Sequence, residues 1–196
     1  MNRVIFFFVF TSFWATIASS WAITPMDYYN SRVAGGDEAG FRDGAFSLAR
    51  FNSPSGLAFD DTGNKLYVAD PGNHCIREVD LDQNNEVKTL AGTGFAGAVD
   101  GPLPKATFNV PTLLAALPGN RLVVFDAGNG SIRLIDLQNQ TIATIEKGIN
   151  IRDMVYRQPD DCLYFSEPDN KKVEKMNMKS LAISEVFSND SRVPSP

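Results

Sequence analysis

Short apolar segments alternate with turn-forming residues along most of the chain. Four such segments follow one another in the clearest stretch, at residues 56–59, 65–69, 75–81 and 87–91. Their β-branched and aromatic residues favour strands, and the residues between them suit tight reversals. In the second reversal, Pro71 fixes φ at the first central position and Gly72 tolerates a positive φ at the next. Because a sustained i, i+3, i+4 pattern is absent, the stretch predicts four antiparallel strands rather than helices.

This stretch is one copy of an internal repeat. FNSPSGLAF at residues 51–59 recurs as FNVPTLLAA at 108–116, and ADPGNHCIREVDL at 69–81 recurs as FDAGNGSIRLIDL at 125–137. A third, weaker copy is SEPDNKKVEKMNM at residues 166–178, which lacks most of the long loop that opens the other two. That loop is itself repeated, because VAGGDEAGFRDG at residues 33–44 resembles LAGTGFAGAVDG at 90–101.

Repeats of four short strands are typical of the blades of a β-propeller. We therefore predict an all-β fold, a partial β-propeller of about three four-stranded blades within residues 33–190. The blades are placed at about residues 51–92, 108–146 and 149–188, after an N-terminal segment at 23–32.

The residues of the first copy resemble the NHL repeat. Pro-Ser-Gly-Leu-Ala-Phe-Asp at residues 54–60 and Gly-Asn-Lys-Leu-Tyr-Val-Ala-Asp at 63–70 carry the resemblance, and the second copy repeats it. In the third copy, Lys172-Val173 stand where Ile-Arg is expected. The resemblance covers roughly residues 33–190, and it implies the fold more specifically than the function, since propellers carry unrelated activities.

The resemblance also implies structural roles for the residues of one turn in each blade. An Asp in the turn and an Arg after the isoleucine of the third strand are expected to pair across the hairpin. The structural turn residues are Asp70, Asn73 and Arg77 in the first copy and Asp126, Asn129 and Arg133 in the second.

The number of blades leaves the ring open. At ~40–45 residues a blade the chain holds at most four blades, whereas closed propellers, including six-bladed ones, have about 4–8. Residues 191–196 resemble the run that enters an inner strand and would start a further blade. We therefore expect a part of a longer propeller, or self-association that completes the ring.

The first 22 residues differ from the rest and predict a signal peptide. Arg3 precedes an apolar run at residues 4–18, and Ser20 and Ala22 are the small residues that a signal peptidase needs. Export to a secreted or periplasmic location is expected, and a membrane anchor formed by residues 4–22 is the alternative.

Composition excludes several kinds of partner and site. The net charge of −5 supplies no basic stripe for nucleic acid. A site of several histidines, such as zinc-binding propeller lyases use, cannot form because His74 is the single histidine; we expect an exposed turn residue there. No catalytic residue, metal or cofactor is predicted. Cys75 and Cys162 fall in non-adjacent blades, too far apart for a disulfide.

The two long loops at residues 35–50 and 92–107 are the candidate binding surface. Loops of equivalent repeats fall on one face of a propeller, where a partner or ligand can dock. The candidate binding residues are Phe41, Arg42, Asp43, Phe95 and Asp100. In the alternative, the loops only plug this face, and their phenylalanines, Phe41, Phe46, Phe95 and Phe108, point inward.

Two functions follow from these observations. The first is an exported binding or interaction scaffold whose loop face takes a protein or another extracellular ligand. The second is a fragment of a propeller enzyme, of the lyase or lactone hydrolase type, whose metal site lies in missing blades. Asn129, Asn139 and Asn189 begin glycosylation sequons that matter only in a eukaryotic secretory route.

Overall fold

The computed structural model describes residues 32–186. The expected signal peptide, most of the segment 23–32, residues 191–196 and Asn189 lie outside the described residues. Within the described range the only helical elements are three short 3-10 turns, at Pro71–Asn73, Ala127–Asn129 and Gln158–Asp160. The remaining regular structure is β-strand, which confirms the all-β prediction.

The first blade is a four-stranded antiparallel sheet in chain order. Its strands are β1 (Leu57–Phe59), β2 (Lys65–Asp70), β3 (Cys75–Asp80) and β4 (Glu86–Ala91). The turn between β1 and β2 is closed by Asp60, whose carboxylate accepts hydrogen bonds from the backbone N–H of Lys65 and the hydroxyl of Thr62. The four predicted strands are present, each within one residue of the expected ends.

The second blade has an additional strand that the sequence did not predict. β5 (Gly101–Pro102) belongs to the long loop and pairs with the outermost strand, giving the order β5-β9-β8-β7-β6. The other four strands are β6 (Pro111–Leu117), β7 (Arg121–Asp126), β8 (Ser131–Asp136) and β9 (Thr141–Lys147). In the first blade, Gly44 pairs with Val87 of β4 in the equivalent way. Each long loop thus adds to the outer edge of the blade that follows it.

The third blade again has four antiparallel strands in chain order. They are β10 (Asp153–Arg157), β11 (Cys162–Glu167), β12 (Lys172–Asn177) and β13 (Ile183–Glu185). Hydrophobic cores lie between successive blades. One core joins residues of blades 1 and 2, including Tyr67, Ile76 and Leu122, and a second joins blades 2 and 3, including Phe125 and Phe165.

The turn between β2 and β3 departs from the expected geometry. The positive φ of this turn is carried by His74 (φ 52°), the residue after the 3-10 turn, and not by Gly72. Gly72 is required for space instead, because a Cβ there would lie 2.4 Å from the side chain of Asn52. His74 is half-buried rather than exposed, and its Nδ1 accepts a hydrogen bond from the backbone N–H of Val110 at 3.2 Å.

Both cysteines are free and buried, as predicted. Burial raises the pKa of the Cys75 thiol to about 12, with the nearby carboxylate of Asp70 adding to the shift. The thiol therefore stays protonated at neutral pH.

Candidate functional site

A fully buried arginine fixes each long loop to its blade. In blade 1, Arg77 lies on β3, and its Nη1 is 3.0 Å from Asp70 Oδ2 at the end of β2. Its Nη2 reaches into the loop, donating to Asp43 Oδ1 at 2.6 Å and to the carbonyl oxygen of Arg42 at 2.9 Å. The guanidinium carbon also lies 4.9 Å from the ring centroid of Phe51. We call Arg77 and its counterpart Arg133 the arginine clamps.

Arg133 makes the same contacts in blade 2. Its Nη1 is 2.9 Å from Asp126 Oδ2, and its Nη2 is 2.6 Å from Asp100 Oδ1. It also donates to the carbonyl oxygens of Val99 and Thr107, both at 3.1 Å. The same arrangement therefore occurs in both blades: a buried arginine joins a buried carboxylate to a carboxylate of the loop.

The loop carboxylates are also bound to the outermost strand of each blade. Asp43 accepts hydrogen bonds from the backbone N–H and the hydroxyl of Thr89 on β4, both at 3.0 Å. Asp100 makes the same pair of bonds with Thr144 on β9, both at 3.0 Å. Asp43 and Asp100, which the sequence offered as candidate binding residues, therefore hold the loops in place through these bonds.

The turn residues complete the attachment of the loops. Asn73 Nδ2 donates both to Asp70 Oδ2 and to the carbonyl oxygen of Gly40, each at 2.8 Å. In blade 2, Asn129 donates to Asp126 and to the carbonyl oxygen of Gly97. The structural turn residues that the family resemblance implied all lie in these two networks, and each network reaches into a loop as well as across the hairpin.

The two carboxylates around Arg133 have opposite pKa shifts. Burial raises the pKa of Asp126 above its usual value, and this outweighs the lowering by Asn109, Asn129 and Arg133. Asp100 is partly buried, which raises its pKa, but the hydrogen bonds from Thr144 and Arg133 outweigh this and lower the pKa. Asp100 therefore favours its charged form, which is the form that holds the loop.

The third blade lacks both the clamp and the long loop. Glu174 pairs with Phe165 across the β11–β12 hairpin, and Arg77 pairs with Val68 across the β2–β3 hairpin. Because Phe165 and Val68 are equivalent residues of the repeat, Glu174 occupies the arginine position. The expectation that Lys172-Val173 stand at the Ile-Arg positions was therefore wrong by one residue. Burial raises the pKa of Glu174, and the neighbouring carboxylate of Glu167 adds to this. The arginine is present only where there is a loop for it to hold.

The clamped loops expose aromatic side chains. Phe95 is 77% exposed and Phe41 is 50% exposed, and Phe46 and Arg42 are also exposed, whereas Phe108 is fully buried beneath Arg133. The alternative in which all four phenylalanines point inward is therefore wrong for Phe46 and Phe95, whereas Phe41 is half-exposed and lies over the guanidinium of Arg77, whose carbon is 5.3 Å from its ring centroid. Phe41 lies against the second loop, because a Cβ on Gly94 would come within 2.8 Å of its ring. We call the exposed part of the two loops, with Phe41, Phe46 and Phe95, the loop surface.

A polar cavity of about 460 Å³ opens between blades 1 and 2, lined by residues of β2, β3 and β4 on one side and by Asn120 and Gln140 on the other. The buried carboxylate of Glu78 lies in it, with Oε1 3.0 Å from the Nζ atoms of both Lys65 and Lys88. Burial raises the pKa of the lining Tyr67 to about 12, with the charge of Glu78 contributing. The carboxylate of Glu78 is thus paired with both lysines of the cavity.

Across residues 32–186, no group of three His, Cys, Asp or Glu side chains is arranged to hold a metal ion. No helix in this range is long and apolar enough to cross a bilayer.

Comparison with known sequences identifies the repeat. The family model for the NHL repeat matches residues 51–78. NHL repeat-containing protein 2 of Bos taurus is 40% identical over 103 residues, which are 52% of this chain and 14% of that protein. Protein SUPPRESSOR OF QUENCHING 1, chloroplastic, of Arabidopsis thaliana is 48% identical over 67 residues, 34% of this chain and 6% of that protein. The chain thus spans a small part of the length of these relatives.

Solved structures show the same fold at low identity. A chain in the crystal structure of the nidogen/laminin complex matches with a TM-score of 0.58 at 18% identity, over 74% of this chain and 52% of that one. An auxiliary nutrient binding protein from Bacteroides thetaiotaomicron matches with a TM-score of 0.53 at 18% identity, over 66% and 36% of the two chains. These matches establish the blade architecture and leave the ligand to be argued from the residues.

Proposed function

We propose that this chain, an NHL-repeat protein with the blade architecture of β-propellers, is an exported scaffold that binds another protein through its loop surface. The observation that carries the proposal is the pairing of a rigid attachment with exposed aromatic residues. Each loop is held by a buried arginine, and Phe95 is nevertheless 77% exposed and Phe41 50% exposed.

A rigid loop loses little conformational entropy when a partner binds, so more of the contact energy appears as affinity. Aromatic side chains are enriched at the centres of protein interfaces, where they contribute most of the binding energy. A loop whose only role was to cover the blade would gain more from turning Phe95 inward.

The fold comparison leaves the kind of partner to be argued from this chain's own residues. The structural neighbour with a TM-score of 0.58 comes from a complex of two proteins, nidogen and laminin. The identity of 18% transfers the fold alone, so the partner of this chain is proposed from the loop surface. The net charge of −5 is consistent with a partner other than nucleic acid.

Site-specific photo-crosslinking in the organism of origin tests the proposal. A photoreactive residue replaces Phe95 in one variant and Thr62 in the matched control, which lies in the β1–β2 turn at the opposite end of the blade. We expect one discrete crosslinked protein from position 95 and none from position 62. Phe41→Ser in the first variant should reduce that product, because Phe41 lies beside the second loop. Equal labelling at both positions, or none at position 95, would overturn the proposal.

Export has its own test. We expect the chain recovered from the medium of a secreting host to begin at Ile23, after cleavage behind Ala22. Recovery in the membrane fraction with residues 4–22 retained would favour the anchor instead.

A further inference from the structure

The polar cavity between blades 1 and 2 is built on a row of side chains that crosses blade 1. Tyr67 on β2 pairs with Glu78 on β3, and Glu78 pairs with Lys88 on β4. All three residues line the cavity, and Lys65 on β2 places a second ammonium 3.0 Å from the carboxylate of Glu78. One row of the sheet thus presents a phenol, a carboxylate and an ammonium to the same space.

The fold does not require this row to be polar. The equivalent row of blade 2 consists of Val123, Leu134 and Ala143. Val123 is fully buried in the core shared with blade 3, and Leu134 packs against that core. Glu78 is only 3% exposed, and a buried carboxylate costs free energy that an apolar residue at the same position does not. Blade 1 therefore carries a cost that the same position in blade 2 avoids.

The hydroxyl of Tyr67 has no partner in the protein. Tyr67 is only 4% exposed, and its hydroxyl makes no hydrogen bond with any residue of the range 32–186. By contrast, Tyr164 at the same position of blade 3 donates its hydroxyl to Asp160 Oδ2 at 2.6 Å. Because buried polar groups nearly always have a partner, an unpaired hydroxyl on the wall of a cavity points to a ligand that supplies one.

The charges of the cavity favour an uncharged ligand. The ammonium groups of Lys65 and Lys88 are matched by the carboxylates of Asp60 and Glu78, so the lining has no net charge. The charged groups that shift the pKa of Tyr67 are all carboxylates, and they raise it. An anion would therefore be repelled at the Tyr67 hydroxyl, and a cation would be repelled at the two lysines.

The lining offers both donors and acceptors of hydrogen bonds. An ammonium has three N–H donors, and Glu78 Oε1 occupies at most one from each lysine. Asn120 adds a side-chain amide, which both donates and accepts. Hydroxyl groups match such a lining because each of them also donates and accepts. The volume of about 460 Å³ lies within the range of ~300–1,000 Å³ that is usual for small-molecule sites.

We infer that the polar cavity binds a neutral saccharide of one or two sugar units, with hydroxyl groups of the sugar bonded to Tyr67 and to the two lysines. This is a second site beyond the proposed function, because Phe41, Phe46 and Phe95 of the loop surface are not among the residues that line the cavity.

Saturation-transfer NMR of the purified chain tests the inference, with glucose, galactose, mannose, maltose and cellobiose as probes. We expect at least one of these sugars to bind, and calorimetry then gives its affinity. Tyr67→Phe should weaken that affinity about three- to tenfold, the loss that goes with one hydrogen bond. The urea midpoint of this variant should not fall, because the hydroxyl has no protein partner.

Tyr164→Phe is the matched control, since it removes a hydroxyl from the same position of the repeat outside the cavity. It should leave sugar binding unchanged and lower the urea midpoint, because the hydrogen bond to Asp160 is lost. The double variant Glu78→Leu/Lys88→Ala gives blade 1 the residues of blade 2 at this row. It should abolish sugar binding, and a circular dichroism spectrum that matches the wild type shows that it folds.

Three results would overturn the inference. The first is that none of the five sugars binds at the highest concentration that the assay tolerates. The second is sugar binding that Tyr67→Phe leaves unchanged, which would place the sugar elsewhere on the chain. The third is inorganic phosphate that competes with the sugar, which would indicate an anion site at the lysines. Crosslinking at position 95 does not depend on these outcomes, so the loop proposal succeeds or fails separately.

Discussion

Replacing Arg133 with methionine tests whether the arginine clamp stabilises the chain. Methionine keeps much of the side-chain volume but removes the charge that faces Asp126 and Asp100. The guanidinium donates to both carboxylates and to the carbonyl oxygens of Val99 and Thr107. Both Arg133 and Asp126 are fully buried, so the substitution leaves a buried carboxylate without its cation. Removing one partner of such a pair costs about 3–5 kcal/mol.

Urea unfolding followed by circular dichroism measures this loss, with Arg157→Met as the matched control. Arg157 pairs with Asp160 at 3.0 Å, but its side chain is exposed, so the same substitution should cost about 0–1 kcal/mol. The double variant Arg133→Met/Asp126→Asn should lose less than the sum of the two single changes, because the uncompensated charge is gone. A loss for Arg133→Met no larger than that of the control would refute the clamp.

The pH dependence of the same variant gives a second readout. Burial raises the pKa of Asp126, so the folded state takes up a proton at higher pH than the unfolded state does. Protonation removes the charge that Arg133 compensates. The stability that Arg133→Met loses relative to the wild type should therefore be largest at neutral pH and shrink as the pH falls.

Trypsin should also cleave after Lys105 sooner in the variant, because the buried Ala106 anchors that loop only while the clamp holds.

Three further predictions concern other parts of the structure. Asp100→Asn should reduce the loss of stability at acid pH. The pKa of Asp100 is lowered in the folded state, so this carboxylate contributes stability above its unfolded pKa of about 3.9, and that stability is lost as the pH falls through the folded pKa. Acid titration of the unfolding midpoint measures the difference. Gly128→Ala should destabilise by about 1–3 kcal/mol in urea unfolding, because its Cβ would lie 2.6 Å from the carbonyl oxygen of Asn109, and an unchanged midpoint would contradict this. Cys75 and Cys162 should both resist a thiol reagent at pH 8 and react after unfolding, and fast labelling of Cys75 in the native chain would contradict a pKa of about 12.

The blades could be predicted from the sequence because their determinants are local. Asp60 closes its turn within five residues, and the repeat fixes which segments are equivalent. The geometry of the next turn was harder to predict, since Gly72 suggested a positive φ that His74 adopts instead. Gly72 is needed because a Cβ there would collide with Asn52, a residue twenty positions away. The residues of the turn itself do not indicate such a contact.

The roles of the loop aspartates could not be predicted from turn chemistry. β5 has only two residues, Gly101 and Pro102, too few for a strand pattern, and it pairs with residues about forty positions later. One signal in the sequence pointed to the clamp. The Asp-Gly of the loop and the arginine of the third strand occur together in two copies and are absent together from the third, where Glu174 replaces the arginine.

The order of the clamp's parts along the chain has a consequence for folding during synthesis. The second loop is made first, but its anchors, Arg133 and Thr144, follow Asp100 by 33 and 44 positions. Until the ribosome has delivered them, Leu103, Ala106 and Phe108 of this loop lack the strands of blade 2 that help to bury them in the folded chain. Such long-range pairings close slowly and leave apolar residues open to other nascent chains. We therefore expect the interval between translation of residues 101 and 144 to be the stage at which this chain most needs a chaperone.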